Sequence, residues 1–201
     1  MSIKEREERQ LRRLETLIDV VFGITIWRLF TLLPRPEENP EWHTLLDMLI
    51  DSWLNFAVAV IALIIVIIYW IQSNLLFKYL VRTDSWHIGL SIAQLFFLLL
   101  FLYAIRTGVG FEAGPASRVF ESATACLLGV FSFAAWYYAL HKGGLVTDEL
   151  DADEARSITE RIKAEPITAA ITIPFAAGMW MWELSWFVYP FVVYLYKRKF
   201  K

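Results

Sequence analysis

Two ionisable side chains, Asp19 and Arg28, lie within an otherwise apolar segment near the N-terminus. A charge inside hydrocarbon costs at least about 2.5 kcal/mol, so such residues usually face protein or a water-filled path. A helix turns about 100° per residue, which places Ile24, Arg28 and Thr31 roughly 120–180° away from Asp19. A helix with polar side chains on two opposite sides is expected to be surrounded by protein or water on both. This predicts that the segment is a pore-lining helix. The alternative is that both charges extend to opposite membrane surfaces.

A carboxylate at this depth needs hydrogen-bond donors. Polar and aromatic side chains at the end of the second apolar segment and the start of the third lie near the same membrane surface as Asp19. We expect Trp70, Asn74, Trp86 and His87 to supply the donors. An aromatic belt at the membrane interface is the alternative interpretation of the tryptophans and tyrosines.

The elements that must position these residues are membrane helices. Hydrophobic residues make up 57% of the 201 residues, and the mean hydropathy is +0.47. A bilayer-crossing helix needs about 20 mostly apolar residues, and six segments qualify or nearly qualify. They lie at roughly 14–34, 50–77, 86–106, 119–141, 164–180 and 183–197. We therefore predict an all-α membrane protein with a single domain of six transmembrane helices over residues 1–201.

The last two segments are short, and only a few residues around Met181–Glu183 separate them, which predicts a tight hairpin. The fifth segment carries Pro174 in its middle and the sixth carries Pro190. Membrane helices tolerate such prolines because neighbouring groups satisfy the freed carbonyls, often with a kink.

The basic residues predict the orientation of the spans. Of the 19 Lys and Arg residues, 15 fall on the side of the two termini, three fall on the other side, and Arg28 lies within the membrane. Cytoplasmic loops carry the excess of positive charge, so both termini are predicted to be cytoplasmic. The N-terminus lacks the pattern of a signal peptide, and we expect a multi-pass protein of the inner (plasma) membrane.

Several functional classes find no support in the sequence. A net charge of -2 does not indicate a nucleic-acid partner, and Cys126 in an apolar run is interpreted as a packing residue. No nucleotide-binding, zinc or catalytic-triad motif is recognisable, so we expect neither an enzyme nor a bound cofactor. The acidic loop at 142–163, predicted to be cytoplasmic, lacks the spacing of a calcium loop and is interpreted as a solvated charge run.

Two stretches resemble known family motifs. The first has Arg13, five residues, and then Asp19-Val-Val-Phe-Gly-Ile24. The second has Tyr69-Trp70, then Leu76-Phe77, and then Arg82-Thr83-Asp84. Both resemble signatures of the endolysosomal transmembrane potassium channel family and its prokaryotic homologues. The motifs are confined to about residues 13–24 and 69–84, while the number of spans and the loop lengths are similar over most of the chain.

The resemblance implies a homotetramer in the lipid bilayer that conducts potassium ions with weak selectivity. The first helices would line a central pore, and Ile24 would form a hydrophobic constriction. Arg13 and Asp19 would belong to the network that packs the first helix against the second and third. Arg28 shares the Ile24 face, and three possibilities remain open. It pairs with an outer-loop glutamate, it turns to a neighbouring subunit, or the helical angles are off by one residue.

Two alternatives are a small proton-coupled transporter that uses Asp19 and Arg28 as a relay, and a membrane scaffold without transport. Transporters often contain internal repeats with broken helices at matching positions. No such repeat is visible here, and a scaffold would not need Asp19 and Arg28 in one helix. The sequence therefore favours a channel built by oligomerisation.

Overall fold

The structure is a computed structural model that describes residues 3–31, 33–110, 114–142, 144–189, 191–192 and 194. Within this part of the chain the fold is all-helical, as predicted, and it contains no strand. The helices are α1 (Ile3–Phe30), α2 (Leu45–Asp51), α3 (Trp53–Phe77), α4 (Ser85–Gly110), α5 (Pro115–His141), α6 (Ala152–Thr172) and α7 (Met179–Ser185). Short 3-10 helices follow at Pro36–Glu38 and Ile173–Ala177.

Three of the described helices are long and apolar enough to cross a membrane. They are α3, α4 and α5, which correspond to the predicted second, third and fourth spans. Helices α1 and α6 begin well before the predicted first and fifth spans because each includes additional charged turns. The count of six spans stays a prediction.

The chain breaks earlier than predicted between the fifth and sixth segments. Met181–Glu183 lie inside α7, and the break falls at Gly178, whose backbone is extended (φ -106°, ψ 119°). The predicted hairpin turn at Met181–Glu183 is therefore wrong. Pro174 does not kink a continuous α-helix either, since it lies in the 3-10 helix that follows α6. Proline lacks an N–H and clashes with the preceding turn, so the α-helix ends at Thr172. Pro190 and 195–197 of the sixth segment lie outside the described residues.

Helix α2 was not predicted, and it overlaps the predicted second span only at residues 50–51. It begins with a capping box, in which the Thr44 hydroxyl accepts from the Asp47 N–H and the Asp47 carboxylate accepts from the Thr44 N–H. These bonds to Thr44 lower the pKa of Asp47 from its ordinary value. Leu45 and Ile50 on α2 are exposed, as is Trp53 at the start of α3.

Close packing joins α5 to both of its neighbours. Phe97 of α4 stacks on Phe131 of α5 with ring centroids 5.1 Å apart. At the crossing with α6, Gly129 lies against Pro166, and a Cβ built on Gly129 would be 2.6 Å from Pro166 Cδ. Pro166 lies inside α6, where it removes one helical hydrogen bond. Glycine is required at position 129 because the two backbones approach so closely.

The loops on the predicted cytoplasmic side are tied together by backbone hydrogen bonds. The Val81 N–H donates to Leu145 O at 2.9 Å, and the Thr147 N–H donates to Tyr79 O at 2.8 Å. Gly144 adopts φ +73°, a region that favours glycine. Its carbonyl accepts a hydrogen bond from Arg82 Nε, so the motif arginine holds the α5–α6 loop against the α3–α4 loop.

Candidate functional site

Helix α1 is buried along one side only. Leu14, Ile18, Phe22 and Leu29 recur at helical spacing and pack into a core cluster with residues of α3, α4, α5 and α6. This spacing of three to four residues produces one apolar stripe on a helix. The stripe fixes which side of α1 packs against the rest of the chain.

The other side of α1 is apolar and uncovered. Leu17, Val20, Ile24 and Trp27 are 45–63% exposed. They recur at intervals of three or four residues and so form a second stripe on the helix. We call these four residues the open face of α1. No element of the described chain covers it.

The three residues predicted for the pore are placed at or near this open face. Ile24 is 56% exposed, and Arg28 is also exposed one turn later. Within the described residues the Arg28 side chain makes no hydrogen bond or ion pair. The Thr31 hydroxyl donates to the Arg28 carbonyl at 2.7 Å, so it is engaged at the end of the helix.

The outer-loop glutamates do not supply a partner for Arg28 in the described part of the chain. Glu38 instead lines an outer cavity of about 350 Å³ together with Thr31, Asn55 and Arg106. The cavity lies between α1, α3 and α4. Within the described residues of this chain, therefore, no outer-loop glutamate pairs with Arg28.

Asp19 accepts a hydrogen bond from the Trp70 side chain. The Trp70 Nε1–H donates to Asp19 Oδ1 at 3.0 Å. The bond joins α1 to α3, since Trp70 lies near the C-terminal end of α3. Asp19 lies on a third side of α1, outside both the buried stripe and the open face. The bond to Trp70 therefore fixes how α1 is rotated about its own axis.

The other residues predicted around Asp19 are not brought to it. Arg13 and Asn74 are exposed, and Trp86 is 74% exposed. His87 is buried, but its Nδ1 is bonded to the Thr83 hydroxyl at 2.8 Å. Within the described residues, Trp70 is the one predicted donor that bonds to Asp19, and the part of the other residues in a packing network stays a prediction.

Asp84 defines the start of α4, the helix that carries Trp86 and His87. Its Oδ1 accepts hydrogen bonds from the backbone N–H groups of both residues and so caps the start of α4. Its Oδ2 accepts from the Tyr138 hydroxyl of α5 at 2.7 Å. Partial burial acts to raise the pKa of Asp84, but these hydrogen bonds outweigh it and the pKa lies below its ordinary value.

Asp84 was recognised from the sequence only as part of the Arg82-Thr83-Asp84 motif, and no role was predicted for it. The available signal was an aspartate immediately before an apolar helical run, which is typical of a helix N-cap. Arg82 in the same motif also forms an ion pair with Glu7 of α1, with 3.4 Å between Nη1 and Oε2. This motif therefore joins α1, α4, α5 and the α5–α6 loop.

Two carboxyl groups within the helices were not predicted as site residues. Glu121 lies on α5 and Glu165 lies on α6, and both line a large cavity. The side chains of Tyr69 and Gln72 on α3 hydrogen-bond to Glu165. Gln72 also donates to the buried Ser132 hydroxyl at 3.2 Å. A glutamate within a predicted span was the signal that could have identified Glu165.

Comparison with known proteins gives a family match over part of the chain and a similar fold. Residues 13–101 match the family described as the endosomal/lysosomal potassium channel TMEM175. This match confirms the resemblance predicted from residues 13–24 and 69–84. A search of curated proteins finds no match.

A crystal structure of the potassium channel MtTMEM175 has a similar fold. That protein is a threonine-to-alanine variant in complex with a nanobody–MBP fusion protein. The TM-score is 0.68 at 17% sequence identity, and the match covers 92% of this chain and 91% of that chain. The likeness therefore extends over nearly the whole fold, and both comparisons are with ion channels and not with enzymes.

Proposed function

Because residues 13–101 match the TMEM175 potassium channel family and the fold resembles that of a potassium channel, we propose that this protein is a potassium-permeable, weakly selective cation channel. Four copies assemble in the plasma membrane with their α1 helices around a central pore. No cofactor takes part, and the permeant ion is K⁺.

The observation that carries the proposal is the open face of α1. A helix that packs on its own chain through Leu14, Ile18 and Phe22 can turn a second apolar stripe either to lipid or to other copies of the chain, and the match of residues 13–101 to a channel family favours the second. Ile24 lies in the middle of that stripe. Four isoleucine side chains around an axis form a hydrophobic constriction, which closes a pore by dewetting when it is narrow.

The bond between Trp70 and Asp19 supports this arrangement because it fixes the rotation of α1. Arg13 precedes Ile24 by eleven residues, which is about three helical turns, so the two residues share one side of α1. In the tetramer Arg13 would lie where neighbouring subunits meet, and it would stabilise the assembly there. The packing network proposed for Arg13 and Asp19 would then act both within and between subunits.

Arg28 is compatible with a cation pore if its charge lies outside the constriction. It occupies the last turn of α1, where a positive charge complements the helix dipole. Long basic side chains extend along apolar surface to reach water. We propose that the Arg28 guanidinium points to the outer mouth, one turn beyond Ile24.

Reconstitution of the purified protein into liposomes with a potassium gradient tests the proposal. Wild-type protein is expected to pass K⁺ without a proton gradient, and Ile24→Asn to increase the flux severalfold because a polar side chain hydrates the constriction. Ile64→Asn is the matched control. Ile64 is an isoleucine of similar exposure, 51% against 56%, on α3.

Three results would contradict the channel. They are no K⁺ flux through the wild type, equal effects of the two asparagine substitutions, and flux that requires a proton gradient. The last result would favour the transporter alternative. Crosslinking in the membrane is expected to give four subunits, because a single copy cannot enclose a pore with one Ile24.

A further inference from the structure

A cavity of about 590 Å³ lies among α3, α4, α5, α6 and the segment that contains α7. It is separate from the open face of α1. Its walls are mainly isoleucine, alanine and aromatic side chains. The aromatic residues that line it are Tyr69, Phe101, Trp182, Trp186 and Tyr189. Ile61 and Ile68 line it and are each 52% exposed, so the cavity opens through the outer surface of α3.

A buried acceptor lies in this apolar space. Glu165 Oε2 is inaccessible to solvent and has no hydrogen-bond partner within the described part of the chain. An unsatisfied buried polar atom costs about 1–3 kcal/mol, so it indicates a missing partner or a functional role. The side chains of Tyr69 and Gln72 lie close enough to the Glu165 carboxyl group to hydrogen-bond to it.

Several of the side chains around the cavity are acidic. Glu121 and Glu183 line it in addition to Glu165, and none of the described lining residues is a lysine or arginine. Arg161, one turn before Glu165 on α6, acts on Glu165 electrostatically but does not line the cavity. A cationic occupant is thus favoured over a neutral or anionic one.

We propose that this cavity binds a hydrophobic ammonium ion that enters from the bilayer. The ammonium group donates to Glu165 Oε2, and the apolar body lies among the isoleucines of α3. Trp182, Trp186 and Tyr69 provide ring faces that attract an organic cation. A bare inorganic cation needs several oxygen ligands that converge on one point, and the described residues contain no group of three or more His, Cys, Asp or Glu side chains that could hold one. A neutral chain would leave Oε2 without a donor.

Photolabelling in liposomes tests this site with a defined probe. The probe is decylammonium that carries a diazirine on its chain, and its comparison compound is the decanol analogue with the same diazirine. Labelled peptides are mapped by mass spectrometry on the full-length protein. The ammonium probe is expected to label cavity-lining residues of α3, α5 or α6, and excess unlabelled decylammonium to abolish that labelling.

Substitution separates the carboxylate from general membrane partitioning. Glu165→Gln is expected to reduce ammonium labelling about tenfold, the low end of what the loss of a charge-assisted hydrogen bond causes. Glu149→Gln changes an exposed carboxylate in the α5–α6 loop and is expected to leave labelling unchanged. Ile61→Trp, at an exposed position on the opening, is expected to reduce labelling without removing any charge.

The inference is overturned if decanol labels the cavity as well as decylammonium does, or if Glu165→Gln and Ile61→Trp both label like the wild type. It is also overturned if the label is confined to α1. Labelling requires no ion flux, so failure of the channel proposal and failure of this site give different results.

Discussion

The contact between Gly129 and Pro166 allows a quantitative prediction about the packing of α5 on α6. In Gly129→Ala the new Cβ would lie 2.6 Å from Pro166 Cδ and 2.8 Å from Pro166 N. An ordinary contact begins at about 3.4 Å, so the two helices would have to separate by about 0.8 Å. The blocking atoms are a proline ring and a backbone nitrogen, which cannot rotate away.

The expected cost follows from two opposing effects. Overpacking of a well-packed site costs about 1–3 kcal/mol, and replacing glycine by alanine inside a helix recovers about 0.5–1 kcal/mol. We expect a net loss of about 1–2 kcal/mol. For a chain of about 200 residues this lowers the melting temperature by roughly 2–8 °C. The cavity walls on α5 and α6 would move apart with the helices.

Thermal unfolding in detergent, followed by near-ultraviolet absorbance or fluorescence, measures the effect. Gly89→Ala is the matched control, because a Cβ at Gly89 on α4 meets no atom within 4 Å. It is expected to raise the melting temperature by about 1–4 °C. Pro166→Ala is expected to rescue Gly129→Ala in part by removing Cδ. A Gly129→Ala protein as stable as Gly89→Ala would refute the close approach of the two backbones.

Two further predictions concern the bonds around α1 and α4. Trp70→Phe removes the donor to Asp19 and is expected to lower the free energy of unfolding by about 1 kcal/mol; a double-mutant cycle with Asp19→Ala checks that the two losses are not additive. Asp84→Asn keeps the helix cap but cannot accept from Tyr138 in the same way, and we expect a loss of about 1 kcal/mol at pH 7. Because the folded pKa of Asp84 is lowered, its stabilisation is present above the ordinary value of 3.8 and disappears as pH falls through the folded pKa. Melting curves at pH 7 and pH 3 should therefore show a smaller difference in melting temperature between the wild type and Asp84→Asn at pH 3. An equal difference at both pH values would contradict the role assigned to the Asp84 carboxylate.

Local patterns in the sequence were enough to predict the class of protein and the positions of its long helices. The apolar runs of α3, α4 and α5 are contiguous in sequence, so their length and composition predict membrane helices directly. The family motifs also occupy short stretches, residues 13–24 and 69–84, and this made the resemblance recognisable. Helix ends were less predictable: Gly178 breaks the chain where the apolar pattern continues without interruption.

The side-chain partners could not be read from sequence because they join distant positions. Trp70 reaches Asp19 across 51 residues, while Trp86 and His87 at similar depth are held by Asp84. The four predicted donors are equally suitable by residue type and by depth in the membrane. Which of them reaches Asp19 depends on how each helix is rotated about its axis.

The sequence by itself determined a helical membrane protein, its family resemblance and the candidate pore stripe on α1, since hydrophobic periodicity and short motifs are local properties. The tertiary structure decided which side of α1 stays open, because that depends on where α3 and α4 pack. It also decided that Glu121 of α5 and Glu165 of α6 share one apolar cavity. The two glutamates are far apart in the chain, and the close contact of Gly129 with Pro166 is one of the contacts that pack their helices together.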